Sequence, residues 1–121
     1  MALRCLLIDD NPGFRDAARD LLDRQGISVV GVAATTAVAL ERAGELRPDV
    51  ALVDIDLGAE SGFDLAQRLA EAPALRVILI STHAETDFAD LIAASPAAGF
   101  LPKNLLSARA VCDLVAPGNG C

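Results

Sequence analysis

Apolar residues along this chain fall into short unbroken runs, separated by stretches in which they recur every three or four positions. The run that follows Pro48-Asp49, Val50-Ala51-Leu52-Val53, is too short for a buried helix and stops at Asp54-Ile55-Asp56. A strand without apolar/polar alternation is usually covered on both faces, which implies a parallel sheet with helices on each side. Residues 3–8 repeat the pattern, apolar apart from Arg4, and end at Asp9-Asp10-Asn11-Pro12. Pro12 suits a first helical position, and Phe14, Ala17, Ala18, Leu21 and Leu22 follow at helical spacing until Gly26 offers a stop.

The same alternation continues to the end of the chain. Residues 27–32 are rich in β-branched side chains, and Thr35-Thr36 open a helix with Ala39, Leu40, Ala43 and Leu46 on one face. Beyond the central strand, residues 58–62 read as a flexible loop, and Leu65, Ala66 and Leu69 mark a short helix that Pro73 ends. Residues 76–80 form a fourth strand ending at Ser81-Thr82-His83. Ala84, Phe88, Leu91 and Ile92 make the stripe of a fourth helix, closed by Ser95-Pro96. Phe100-Leu101 lies in a short fifth strand ending at Pro102-Lys103-Asn104, and Ser107 caps a last helix bearing Ala108, Val111, Cys112 and Val115. The stripes of the last two helices are expected to be committed to the core. Five strand-helix pairs with short connections predict an α/β domain, a doubly wound five-stranded parallel sheet over residues 1–116. Residues 117–121 read as a tail or the stub of a linker.

Composition narrows the function. The 121 residues include only four aromatics, all Phe, so the core is built from Leu, Val, Ile and Ala. A formal charge of −7 argues against a nucleic-acid surface, since phosphate binding needs clustered Lys and Arg. Cys5, Cys112 and Cys121 have no metal-binding spacing and are odd in number, which suits a reducing, cytoplasmic setting. The N-terminal apolar stretch is too short for a signal peptide, and no run approaches membrane-spanning length, so a soluble, untargeted protein is expected.

Candidate chemistry collects at the ends of the strands. In open parallel sheets ligands bind beyond the carboxyl ends of the strands. Those ends deliver Asp9 and Asp10, Asp54 with Asp56, Ser81 with Thr82, and Lys103. Each also has an ordinary structural role open to it: Asp10 or Asn11 as a helix cap, Asp54 as a turn residue, Ser81 as a packing hydroxyl, Lys103 as a solvated cation. Their joint arrival at one edge favours a site. Clustered carboxylates raise one another's pKa unless a cation neutralises them. Hard oxygen ligands select Mg²⁺, so Asp9, Asp10 and Asp54 are expected to hold a divalent ion. An ammonium from Lys103 and a hydroxyl from Ser81 on the other side of Asp54 would serve in-line phosphoryl transfer to Asp54 as nucleophile.

The segments Leu6-Leu7-Ile8-Asp9-Asp10, Leu52-Val53-Asp54, Leu79-Ile80-Ser81 and Gly99-Phe100-Leu101-Pro102-Lys103, in this order, resemble the receiver domain of two-component response regulators. The resemblance spans essentially the whole chain and implies a flavodoxin-like sheet of order 2-1-3-4-5. It further implies that Asp54 is the phosphoacceptor and that Asp9, Asp10, Asp54 and the backbone carbonyl of Asp56 bind Mg²⁺. Ser81 and Lys103 would sense the phosphoryl group, and Ser81 with Phe100 would switch the face of helix four, strand five and helix five. In that switch Phe100 rotates inward. Implied partners are a sensor histidine kinase or phosphotransfer protein and an output partner, with no direct DNA binding and no membrane. The chain would be a monomer or weak homodimer that assists its own phosphorylation and dephosphorylation without being an enzyme.

Four positions depart from the common pattern. Asp56 adds a carboxyl near the phosphoryl group, Thr82 stands where the family usually has Ala or Gly, and His83 is the only histidine; all three are possible modulators. Lys103 is followed by Asn104 where the family often has Pro, leaving the isomer of that bond open. Two other readings compete. A degenerate receiver would act as an interaction module alone. An aspartyl-nucleophile phosphatase of the haloacid-dehalogenase type would use Asp54-Ile55-Asp56, but its late acidic pair is missing.

Overall fold

The computed structural model describes residues 3–115, which form a five-stranded parallel sheet flanked by helices. Strands β1 (Arg4–Ile8), β2 (Ser28–Ala33), β3 (Val50–Asp54), β6 (Arg76–Ser81) and β7 (Gly99–Pro102) run in the order β2-β1-β3-β6-β7. This is the expected order 2-1-3-4-5 once β4 (Asp56–Leu57) and β5 (Glu60–Ser61) are set aside as a separate antiparallel pair. Helices α1 (Pro12–Arg24), α2 (Thr36–Leu46), α3 (Gly62–Leu69) and α4 (Ala89–Ala94) fill the four crossovers, and α5 (Ala108–Val115) follows the last strand.

Side-chain alternation along each strand divides the core in two. Leu6 and Ile8, Ala51 and Val53, Val77 and Leu79 face one side, where Ala39 of α2 and Leu65, Ala66 and Leu69 of α3 cover them. Cys5 and Leu7, Val50 and Leu52, Ile78 and Ile80 face the other, under Ala18 and Leu22 of α1 and Val111 and Cys112 of α5. Because both sets are apolar, the strands read as unbroken runs up to their ends.

The helix starts follow local chemistry. Asn11 Oδ1 accepts from the Phe14 amide at 3.1 Å and Thr35 Oγ1 from the Val38 amide at 3.3 Å, while Pro12 opens α1. Asn11, not Asp10, is therefore the α1 cap. Ser107 Oγ accepts from Ala110 N at 3.0 Å at the start of α5.

Three expectations are corrected. Residues 58–62 are not a loose loop: the hairpin pairs Asp56 with Ser61 and Leu57 with Glu60, turning at Gly58 with φ 62°. The fourth helix is not continuous, because Phe88 (φ −129°, ψ 21°) separates a 3-10 turn, Glu85–Phe88, from α4. Nor is its stripe committed to the core. Phe88 and Ile92 pack only partly, and Leu91 is 54% exposed. Among the described residues every peptide bond is trans, so Lys103-Asn104 needs no cis isomer. No helix among them is long and apolar enough to cross a membrane. The expected tail, 117–121, lies outside the described residues.

Candidate functional site

Strand register assembles the site. Ile8 is level with Val53, so Asp9 and Asp54 leave the sheet side by side. Asp54 is level with Ile80, and Ser81 with Pro102, which places Ser81 and Lys103 one step beyond on the neighbouring strands. Asp9, Asp54 and Ser81 are the buried polar residues of the described chain, whereas Asp10 is exposed at the rim.

Lys103 closes the cluster from β7. Its Nζ lies 2.6 Å from Asp9 Oδ2 and 3.1 Å from Asp54 Oδ2, with the lysine side chain only 13% exposed. The contact to Asp54 is a hydrogen bond. Asp9 Oδ2, in contrast, has no directed hydrogen bond, so what holds it against the ammonium is charge. The remaining carboxylate oxygens are tied to backbone: Asp9 Oδ1 accepts from Asn11 N at 2.9 Å, and Asp54 Oδ1 from Asp56 N at 3.1 Å. Arg15 Nη1 donates to the Asp9 carbonyl at 2.7 Å, fixing the start of α1 to the strand end.

The electrostatics leave the carboxylates undercompensated. Burial, then the charge of Asp9, push the Asp54 carboxyl up from 3.8 to about 6, against the opposing pull of the Asp56 amide and Lys103. Burial alone would lower the Lys103 pKa, but Asp9 and Asp54 outweigh it and raise the ammonium above its ordinary value. One cation shared by two acids cannot fully offset both.

A divalent ion fits this arrangement. One oxygen from each of Asp9, Asp10 and Asp54 lies within 4.8 Å of the other two, and all three are hard ligands. Three carboxylates against one ammonium leave a deficit of two charges, and the buried Asp9 Oδ2, held by the charge of Lys103 and not by a hydrogen bond, is an oxygen suited to a cation. Close packing holds the cluster tight from behind. A Cβ on Gly62 would lie 2.0 Å from the Asp54 carbonyl oxygen and 2.7 Å from Ile55 Cα, so only glycine permits α3 to start here.

Ser81 is engaged with His83. Its Oγ accepts from the His83 amide at 3.0 Å and lies 3.4 Å from His83 Nδ1. His83 Nδ1 in turn lies 3.9 Å from Asp56 Oδ2, a contact between two largely exposed side chains, and its ring meets Phe88 edge-on at 5.7 Å between centroids. Thr82 is exposed and lines, with Asn11, Phe14, Lys103 and Asn104, a shallow hollow beside the acids. Phe100 is only 8% exposed, packed on the α2/α3 face of the sheet. An inward rotation is thus not available to it from this state, because the ring is already inside.

Sequence reasoning missed Phe14, taken there for an ordinary member of the α1 stripe. It is only half-buried, and Lys103 Nζ sits 4.5 Å from its ring centroid. Its distance of three residues from Asn11, the α1 cap beside Asp9 and Asp10, was the available signal.

The comparisons agree with this architecture. The chain matches the response regulator receiver domain family over residues 5–115, and it belongs to that family. Receivers of this kind serve phosphorylation-based signalling in two-component systems. The response regulator GacA of Pseudomonas viridiflava is 31% identical over 103 residues, 84% of this chain and 48% of that protein. The solved signal receiver domain of a response regulator designated NarL, from Mycobacterium tuberculosis, is 33% identical with a TM-score of 0.84, covering 94% of this chain and 96% of that one. A Burkholderia pseudomallei response regulator, solved with a phosphorylated aspartic acid, a calcium ion and citrate, is 26% identical with a TM-score of 0.81, over 93% of this chain and 66% of that one. The chain spans about half the length of the first curated relatives it matches.

Proposed function

We propose that Asp54 accepts a phosphoryl group from a sensor histidine kinase or a phosphotransfer protein, and that this changes the face formed by α4, β7 and α5. The observation that carries the reading is a nearly buried carboxylate at the end of the central strand, bonded to Lys103 and crowded by Asp9 and Asp10. The Asp54 oxygen forms a bond to phosphorus as the donor's phosphorus–nitrogen bond breaks, and the histidine nitrogen keeps the electron pair.

Asp9, Asp10 and Asp54, with the backbone carbonyl of Asp56, are the residues that would hold Mg²⁺. When bound, the ion supplies positive charge against the phosphoryl oxygens. Lys103 supplies a second positive charge, already aimed at Asp54, and so needs little reorganisation during transfer. Ser81 moves its hydroxyl from the His83 turn to a phosphoryl oxygen. Phe100, level with Leu79 two residues before Ser81, repacks in response, and the half-packed α4 is the element with least to lose by moving. Asp56, Thr82 and His83 flank the acceptor and set how readily donor and water reach it. We read the chain as a cytoplasmic phosphoacceptor that assists its own turnover, monomeric or weakly dimeric, with Asp54 carrying the phosphoryl group.

The test is incubation with acetyl phosphate and Mg²⁺ followed by intact mass. One added phosphoryl group, labile to hydroxylamine and absent from Asp54→Ala, is the expected result. No added mass under these conditions would favour a receiver used only as an interaction module.

A further inference from the structure

The Lys103 ammonium contacts the carboxylates of both buried acids, and what fixes a flexible lysine there is not the acids alone. A lysine ammonium has three donors on a four-carbon stem. Asp9 Oδ2 and Asp54 Oδ2 occupy two directions at 2.6 and 3.1 Å. On a further side the ammonium stands 4.5 Å from the Phe14 ring centroid, inside the range of about 6 Å over which a ring face attracts a cation.

The ring lies at the start of α1, in the wall of the hollow shared with Asn11, Thr82, Lys103 and Asn104. A phenyl face differs from a third carboxylate in two respects. It attracts the ammonium without adding negative charge to a cluster already crowded with it, and it accepts no strong hydrogen bond, so the donors stay available to a phosphoryl oxygen. An ammonium 4.5 Å from the ring can also shift toward Asp54 by on the order of 1 Å and remain within reach of the ring.

We propose that Phe14 is a positioning residue for phosphoryl transfer, holding the Lys103 ammonium between Asp9 and Asp54 through its ring face. The proposal rests on Asp54 being the phosphoacceptor. Phe14→Leu keeps an apolar side chain and removes the ring; Phe14→Tyr keeps the ring.

Two readouts test it. In the unphosphorylated protein, the Lys103 ε-methylene protons carry an upfield ring-current shift in wild type and Phe14→Tyr and lose it in Phe14→Leu. With acetyl phosphate and Mg²⁺, followed by intact mass, Phe14→Leu takes up phosphoryl about 5- to 30-fold more slowly, the span between an exposed and a desolvated cation–ring contact, while Phe14→Tyr stays near wild type. A wild-type rate in Phe14→Leu overturns the proposal, as does a Phe14→Tyr as slow as Phe14→Leu. If Phe14→Leu does not fold, Phe14→Met takes its place with the same two expectations. Wild type that gains no phosphoryl group sinks the phosphoacceptor reading and this role with it, whereas wild type that is phosphorylated without the methylene shift sinks only the role of Phe14.

Discussion

The His83 amide donates to Ser81 Oγ at 3.0 Å, closing a two-residue turn that engages the Ser81 hydroxyl oxygen. In this state the hydroxyl serves the turn, and His83 Nδ1 at 3.4 Å adds a second neighbour. In the proposed switch Ser81 reaches a phosphoryl oxygen only if the turn opens, which would couple Asp54 to the segment leading into the 3-10 turn and α4. Ser81→Ala removes the link. The variant should still gain a phosphoryl group on Asp54, while amide signals of residues 84–94 no longer move on phosphorylation. Two-dimensional NMR of the phosphorylated and unphosphorylated forms reads this directly, and unchanged α4 responses in Ser81→Ala would remove Ser81 from the switch.

Asp54 also sets a pH dependence. Its folded pKa of about 6 is above its ordinary 3.8, so the folded state holds that proton more tightly than the unfolded chain does. The group's contribution to stability is therefore complete below about pH 4 and is lost as pH climbs through about 6, on the order of 1–3 kcal/mol in all. Urea midpoints of the metal-free protein should fall between pH 4.5 and 7 by more in wild type than in Asp54→Asn, which cannot ionise. Millimolar Mg²⁺ at pH 7 should restore wild type and have little effect on Asp54→Asn. An identical pH profile for both proteins would mean that Asp54 is not the strained group.

The parts that could be read from the residues are those set by a single local rule. Runs such as Cys5-Leu6-Leu7-Ile8 and Val77-Ile78-Leu79-Ile80 are apolar on both faces, so two-sided cover and a parallel sheet followed at once. The convergence of Asp9, Asp54, Ser81 and Lys103 followed from each lying at a strand end. What stayed hidden depends on distant partners. The 58–62 segment looks loose because Gly58 and Gly62 sit in it, yet Gly58 makes a hairpin turn and Gly62 lets α3 pass against the Asp54 backbone. The α4 stripe has helical spacing, but spacing alone does not say whether a helix is pressed fully onto the sheet, and Leu91 is not. Phe14 fits the α1 pattern equally well as a core residue or as the neighbour of a lysine 89 positions away; only the coordinates separate these.

Gly62 is the position where backbone packing most constrains the site. A methyl group there would meet the Asp54 carbonyl oxygen, which cannot yield without displacing the end of β3. Gly62→Ala should destabilise the domain by about 1–3 kcal/mol or more, the usual cost of forced overpacking. It should also slow phosphorylation beyond what the stability loss explains, since the shifted backbone carries Asp54, the proposed acceptor. Urea denaturation together with the acetyl phosphate time course tests both. A variant as stable as wild type would show that α3 can start elsewhere.

Glu60 ties the same segment to the opposite neighbour. Its Oε1 accepts from the Thr36 amide at 2.8 Å, so β5 caps the first turn of α2, where an unpaired N–H and the helix dipole both favour a carboxylate. The hairpin that carries Asp56 is thereby held from a second direction. Glu60→Ala should cost about 1 kcal/mol, whereas Glu60→Gln keeps the hydrogen bond and should lose only a few tenths. Hydrogen exchange adds the local test: in Glu60→Ala the Leu57 and Glu60 amides should exchange faster, together with the first turn of α2. If α2 frays while the hairpin amides keep wild-type protection, the bond serves the helix alone and does not steady the loop beside Asp54.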